Sequence, residues 1–439
     1  AHIDHSGLVP YLYRQNFRGD VICTPATRDL CALMLADTAF IQAQDVRWYN
    51  KKMDRLHKPK IDPLYDINQV ERCMKLFVTV DYDRRYQVCD GVSLTFTNSG
   101  HMLGSAIVNL EIREGGEVKR IAYTGDIGRA HSHILVSPND FPQCDYLICE
   151  STYGNRLHDD SLVSDVASLF SSRVLKVIKF DRKKAENLMR FYCLYEFNEQ
   201  LLGVVEDTCV YKKGKLLIPS FSVGRTQEIV YVLNKLYNEG RLPQIPVYVD
   251  SPLSVNATHV FRLYTDALNE DVQDTMRFDD DPFGFNTLHY ISDIRDSKAL
   301  NTSDKPCIII SASGMLEAGR IKHHVANHIS DPACTILIVG YCTPTSLGAR
   351  IQDPTIKWVS IFGYDHKIKA QISKIEGFSG HGDYQEMIDY FTRSQNIEAI
   401  RRTFIVHGET SAQEEYKDHL YEAGFRNISI PQKGEKVIL

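Results

Sequence analysis

Short apolar runs alternate with amphipathic segments over most of the chain, the pattern of an α/β protein in which buried strands are joined by helices. The runs predict strands over Asp20–Thr24, Val92–Thr97, Ala106–Ile112, Arg120–Thr124, Tyr146–Cys149, Lys215–Ile218, Val247–Val249, Cys307–Ile310, Thr335–Val339, Ile368–Ile375, Thr403–Val406 and Ile428–Ile430. The amphipathic segments predict helices over Thr27–Trp48, Asn68–Leu76, Arg225–Glu239, Asn256–Ala267, Arg320–His328, Asp383–Arg393 and Ala412–Glu422. Ser411 offers a side-chain oxygen at the start of the last helix.

The strand ends divide the chain by chemistry. From Ile3 to Glu150, and again from about Ile368, they deliver His or Asp beside Gly: Gly100–His101, Gly125–Asp126, Gly380–His381 and His407–Gly408. Between Tyr153 and Tyr364 they deliver Ser, Gly and Arg instead, in Ser220–Arg225 and Ser311–Met315. This discontinuity predicts one domain inserted into another. The segment Phe170–Gln200 stands apart, basic through Arg173, Lys176, Lys179, Arg182, Lys183, Lys184 and Arg190, and then aromatic. It reads as a surface helical insertion with a solvated face, or as a stretch that tracks single-stranded nucleic acid.

Composition narrows the class. The 439 residues are 43% apolar and 24% charged, which excludes a disordered, collagenous or membrane-embedded chain. A net charge of −6 provides no global basic field, so a polyanion has to be met by a local patch. The 11 cysteines include no C-x-x-C pair, which argues against a disulfide framework and a thiolate zinc site. With no long apolar run and no signal-like start, the expectation is a soluble cytoplasmic protein with no membrane partner. The chain opens on Ala1 without Met, so the expectation is that its natural amino terminus is absent or processed.

The candidate chemistry begins at His2–Ile3–Asp4–His5, where a loop after a strand would turn two imidazoles and a carboxylate toward one cation; zinc favours such N and O donors. Taken alone, it equally reads as a surface loop. His101 lies in a turn flanked by glycines, Asp126 leaves a strand as a carboxylate able to bridge two metals, and His407 ends an apolar strand. Each alone is also an ordinary turn or strand-end residue. Glu150 at a strand terminus and His381 at a helix start match the pairing in which a carboxylate fixes the tautomer of a general acid.

Read together, GHMLGSA (100–106), YTGDIGR (123–129), ESTYGNR (150–156), IPSFSVGRTQE (218–228), SASGM (311–315), GFSGHGD (377–383) and FIVHGE (404–409) resemble, in order, the metallo-β-lactamase-fold nucleases with a β-CASP insertion. The resemblance is closest to bacterial and archaeal relatives of the polyadenylation nuclease, and Phe170–Gln200 lies outside it. It implies a metallo-β-lactamase αββα sandwich, N-terminally truncated here, with an inserted α/β β-CASP domain. The parts are 1–152, the insertion 153–366 (170–200 atypical) and 367–439. It implies two zinc ions, one held by His2, His101 and Asp126 and the other by Asp4, His5, Asp126 and His407. The first histidine of the family's H-x-H-x-D-H motif would precede Ala1, so the first site is expected to be incomplete in this chain.

The resemblance further implies His381 as proton donor, Glu150 as its orienting carboxylate, and Asp126 as a catalytic as well as a bridging residue. The loops bearing Ser220, Ser222, Arg225, Ser313 and Gly314 would bind substrate phosphates through backbone N–H groups and the Arg225 fork. The implied activity is hydrolysis of single-stranded RNA to 5′-phosphate and 3′-hydroxyl ends, endonucleolytic or from the 5′ end. His407 favours RNA over DNA within the family. A lactonase- or thioesterase-type hydrolase and an inactive RNA-processing scaffold are the alternatives, and a homodimer is compatible with the resemblance.

Overall fold

The computed structural model describes residues 1–158, 195–375 and 380–439. The expectation for 170–200 therefore falls outside the described residues except at 195–200, which are helical. The chain divides into two compact units. The first comprises Ala1–Gly128, Pro138–Asn155 and Glu386–Leu439; the second comprises Arg129–Ser137 and Arg156–Gln385.

The first unit is built on a seven-stranded sheet, in spatial order Ile428–Ser429, Arg402–Ile405, Tyr146–Cys149, Glu117–Tyr123, Ala106–Glu114, Val92–Asn98 and Tyr86–Cys89. The first four strands are mutually parallel and the rest alternate antiparallel. Two reversals restore direction, so Val92–Asn98 runs the same way as Glu117–Tyr123, Tyr146–Cys149 and Arg402–Ile405. Four strands thus end at one edge of the sheet and release His101, Asp126, Glu150 and His407 there. Tyr146–Cys149 is an unbroken apolar run because it lies inside the sheet. On Val92–Asn98, Leu94 and Phe96 are buried and pack with Val80, Val108 and Leu110.

Helix Pro25–Arg55 buries Ala26, Leu30, Leu35 and Ala39 at four- and five-residue spacing, with Cys31 beside Leu30. Its start is capped by Thr24, whose hydroxyl accepts from Thr27 N–H.

The second unit holds a six-stranded, all-parallel sheet in the order Leu288–Ile291, Val247–Asp250, Cys307–Ser311, Lys215–Pro219, Thr335–Ile338 and Gln371–Lys374. Cys307–Ser311 and Lys215–Pro219 are buried at every position, as central strands covered on both faces require. Among the described residues, no helix is long and apolar enough to cross a membrane.

Three local expectations change. His2–His5 is no loop: Ile3–Ser6 forms one helical turn with His2 at its N-cap, and the N–H groups of His5 and Ser6 donate to His2 O. The final helix starts at Thr410 behind Glu409, which puts Ser411 inside the helix, past the cap position. The strand expected from Ile368 begins at Gln371, where pairing with Thr335 starts.

Candidate metal centre

Four segments of the first unit meet around Asp126, whose side chain is 6% exposed. His2 Nδ1 and His101 Nε2 lie 3.3 Å apart, each 3.5 Å from Asp126 Oδ2. Around the other oxygen, His5 Nε2 is 3.2 Å and His407 Nε2 3.3 Å from Asp126 Oδ1. Asp4 Oδ2 completes this group at 3.7 Å from His5 and 3.8 Å from His407. Four donors at about 2.0–2.1 Å from a zinc ion stand about 3.3–3.4 Å from one another. The observed separations bracket that spacing, so the residues fit two cations sharing Asp126. The Asp126 carboxylate, against the opposing effect of burial, also raises the pKa of His5 above its ordinary value. That shift reports a local potential that favours positive charge.

Three of these residues, His101, Asp126 and His407, are held from behind. The His101 turn opens on Gly100, at φ +68°, whose N–H donates to Asn98 Oδ1, and Ser105 Oγ accepts from the N–H groups of His101 and Met102. Gly104 O accepts from the hydroxyls of Thr24 and Thr27, tying the turn to the start of helix Pro25–Arg55. Gly128 must be glycine, since a Cβ there would lie 2.0 Å from Gly100 O; this close approach docks the His101 turn on the Asp126 loop.

Glu150 is 1% exposed and accepts from Ile127 N–H at 2.5 Å and Thr152 N–H at 3.3 Å, so it clamps the loop immediately after Asp126. A carboxylate oxygen of Glu150 lies within 4.8 Å of one of Asp126. His407 adopts φ +54°, a left-handed conformation that is costly for a residue with a Cβ. Ser151 N–H and the Thr152 hydroxyl donate to its carbonyl, and Ser151 Oγ donates to Val406 O. The cleft lined by His2, His5, His101, Asp126, Thr24 and Thr27 has a volume of about 170 Å³.

The remaining expected residues belong to the second unit. The backbone carbonyl of His381 lies 2.9 Å from His158 Nε2, and His158 N–H donates to Asp383. Gly377, Phe378 and Ser379 of the same motif lie outside the described residues. Ser220 is fully buried and its hydroxyl accepts from Thr226. Ser222 Oγ is 3.4 Å from Ser251 Oγ. The Ser220 and Gly314 loops meet, since a Cβ on Gly314 would lie 3.2 Å from the Phe221 ring.

Arg225 pairs with Glu228, which also accepts from the backbone N–H of His133. Burial works against the Glu228 charge, yet Arg225 and His133 hold its carboxyl below the usual range. The anchors Thr24, Thr27, Ser105, Ser151 and Thr152 were not anticipated from sequence. Ser105, Ser151 and Thr152 sit inside the quoted motifs, whereas nothing local marks the threonines as partners of Gly104.

Residues 226–351 match the family model described as the Beta-Casp domain, and residues 365–431 match that of the Zn-dependent metallo-hydrolase RNA specificity domain. The chain is 31% identical over 412 residues to Ribonuclease TTHA0252 of Thermus thermophilus, covering 93% of this chain and 80% of the relative. It is also 31% identical over 438 residues to Transcription termination factor FttA of Methanocaldococcus jannaschii, covering 98% of this chain and 61% of that protein. The factor of the same name from Methanothermobacter thermautotrophicus is 31% identical over 401 residues, 90% of this chain and 55% of its own length. The chain thus spans little more than half the length of these archaeal relatives.

Proposed function

The chain belongs to the metallo-β-lactamase-fold β-CASP ribonucleases, with the mixed α/β fold and inserted β-CASP domain of that family, and on that premise we propose that it is a zinc-dependent hydrolase of single-stranded RNA. The products are a 5′-phosphate and a 3′-hydroxyl. We assign 1–152 and 386–439 to the metallo-β-lactamase domain and 153–385 to the β-CASP domain, a boundary later than the sequence expectation of 367 because strand Gln371–Lys374 pairs in the second unit's sheet. The observation that carries the reading is the convergence of His2, His5, His101 and His407 on the two oxygens of Asp126, with Asp4 beside His5 and His407. The relatives' names, a ribonuclease and transcription termination factors, support RNA as the substrate class.

His2, His101 and Asp126 would hold one zinc, and Asp4, His5, His407 and Asp126 the other. Bound there, a zinc pair supplies an activated water near neutral pH and neutralises charge on the phosphodiester. Asp126 fixes the spacing of the two donor groups, and Glu150 holds the Asp126 loop through Ile127 N–H. His381 is assigned proton donation to the departing 3′-oxygen on the motif match. Ser220, Ser222, Arg225, Ser313 and Gly314 are assigned to substrate binding, in which Arg225 acts together with Glu228.

The test is zinc content measured beside cleavage of 5′-labelled and 3′-labelled single-stranded RNA. Zinc uptake with products bearing 5′-phosphates supports the proposal; uptake without cleavage rejects it in favour of a scaffold. Light scattering reads whether two copies associate.

A further inference from the structure

Helix Pro25–Arg55 buries a regular stripe only as far as Ala39; from Phe40 to Lys52 no residue is buried. The segment that follows covers one side of this exposed half. Asn50 bonds the backbone of Ile61 at 2.8 and 3.0 Å, and Gln42 Oε1 accepts from Leu64 N–H. At 100° per residue, Gln42, Val46, Asn50 and Met53 share that covered side. Arg47, Lys51 and Arg55, one turn apart, form a ridge on the opposite side with Trp48 beside it, and all four are exposed.

Trp48 is 69% exposed, and Lys52 Nζ sits 5.9 Å from its ring centroid. Lys58 and Lys60 extend the positive charge beyond the helix, with Lys60 paired to Asp54 at 2.9 Å. Residues 47–60 thus carry six Lys or Arg against the single acidic Asp54, in a chain of net charge −6. The helix dipole accounts for cations in the last turn, at Lys52 and Arg55. It accounts neither for Arg47, two turns earlier, nor for an indole left in water.

We propose that Arg47, Trp48, Lys51 and Arg55 form a docking surface for single-stranded RNA, separate from the metal centre. The three cations meet successive phosphates and the indole stacks on a base. The proposal rests on RNA as the substrate class. The helix begins beside the metal centre, where Thr24 and Thr27 line the same cleft as His2 and Asp126. At ~1.5 Å per residue the ridge lies roughly 33–45 Å further along the axis. The surface therefore grips RNA remote from the bond being cut.

The test is fluorescence anisotropy with a labelled, unstructured RNA of about 30 nucleotides, in EDTA so that nothing is cut, across a salt series. The triple variant Arg47→Gln, Lys51→Gln, Arg55→Gln keeps the alkyl stems and is expected to bind at least about tenfold more weakly. Its log–log salt slope should be shallower by about 2, from three lost phosphate contacts at ~0.7 each. Trp48→Ala is expected to weaken binding roughly fivefold or more with the slope unchanged.

Affinity and slope equal to those of the unaltered protein overturn the proposal and give the face to an acidic protein surface. An affinity loss with no change of slope in the triple variant overturns it as well. Cleavage by the zinc-loaded chain is scored separately, so failure of the proposed activity leaves this binding result readable.

Discussion

Asp126 serves both donor groups with its two oxygens, whereas His381 lies in the other unit of the chain. Substitution at the two positions is therefore expected to differ in kind. Asp126→Ala removes a donor from both groups and leaves the imidazoles of His2 and His101 facing each other at 3.3 Å, so zinc and activity are lost together. His381→Ala is expected to keep its zinc while cleavage falls ~10²–10⁴-fold, the usual contribution of a general acid. Elemental analysis beside single-turnover cleavage decides it; zinc loss in His381→Ala, or undiminished cleavage, rejects the proton-donor role.

A second residue-scale prediction concerns His328, in the core of the other unit. Lys215 Nζ donates to Leu300 O and lies 3.3 Å from His328 Nε2. Burial, reinforced by the Lys215 charge, pushes the His328 pKa down to about 4. Between pH 6.5 and 4 the unfolded chain binds a proton that the folded chain refuses. The stability involved is fully present above about pH 6.5 and is lost as pH falls toward 4, about 2 kcal/mol of it by pH 5. His328→Gln keeps an acceptor for Lys215 and removes the titration. Urea unfolding in EDTA at pH 7 and pH 5 should show a smaller drop for the variant, and equal drops would refute the assignment.

The elements that place the proposed metal donors depend on contacts between segments distant in sequence. Gly128 illustrates this, because its missing side chain lets the Gly100 carbonyl approach. Gly128→Ala is expected to cost about 1–3 kcal/mol by overpacking and to lower zinc content by displacing His101. Gly115, at φ +59° with open space around it, is the control: Gly115→Ala should cost about 1 kcal/mol of backbone strain and leave zinc content unchanged. Thermal midpoints and zinc content of the two variants test the contrast, which fails if Gly128→Ala keeps full zinc.

The same distinction explains what was legible in the sequence. Buried strands such as Cys307–Ser311 and Tyr146–Cys149 show as apolar runs because both faces are covered. The hairpin Trp358–Ile361 and Tyr364–Lys367 does not, since much of it, including Trp358 and Tyr364, faces water. The helical turn Ile3–Ser6 is too short to carry a period. Of the proposed donors, His101, Asp126 and His407 stand out in the sequence because each follows an apolar strand in a compact motif, whereas His2, Asp4 and His5 stand out only as a local cluster. The bonds from Thr24 to Gly104, Ser151 to Val406 and Ile127 to Glu150 were not, because they join residues whose proximity only the folded sheet creates.

At the scale of the whole molecule, the donors come from four separated stretches of the first unit, around His2, His101, Asp126 and His407. A cation bound there crosslinks loops at the ends of three strands and the amino-terminal turn, and it binds the folded unit alone. By mass action, zinc at about 100 times its dissociation constant adds ~2.7 kcal/mol to the opening cost of whatever must unfold to release it. The parallel sheet of the second unit contributes none of these six donors. Hydrogen exchange should therefore respond unevenly to chelation. Peptides spanning 98–105, 124–128 and 402–409 are expected to exchange faster in EDTA than with zinc, while peptides over 215–219 and 307–311 keep their rates. Unchanged exchange in the first set would remove the case for metal at Asp126. Equal acceleration in both sets would mean that the two units open as one cooperative body, and that the metal secures the whole chain.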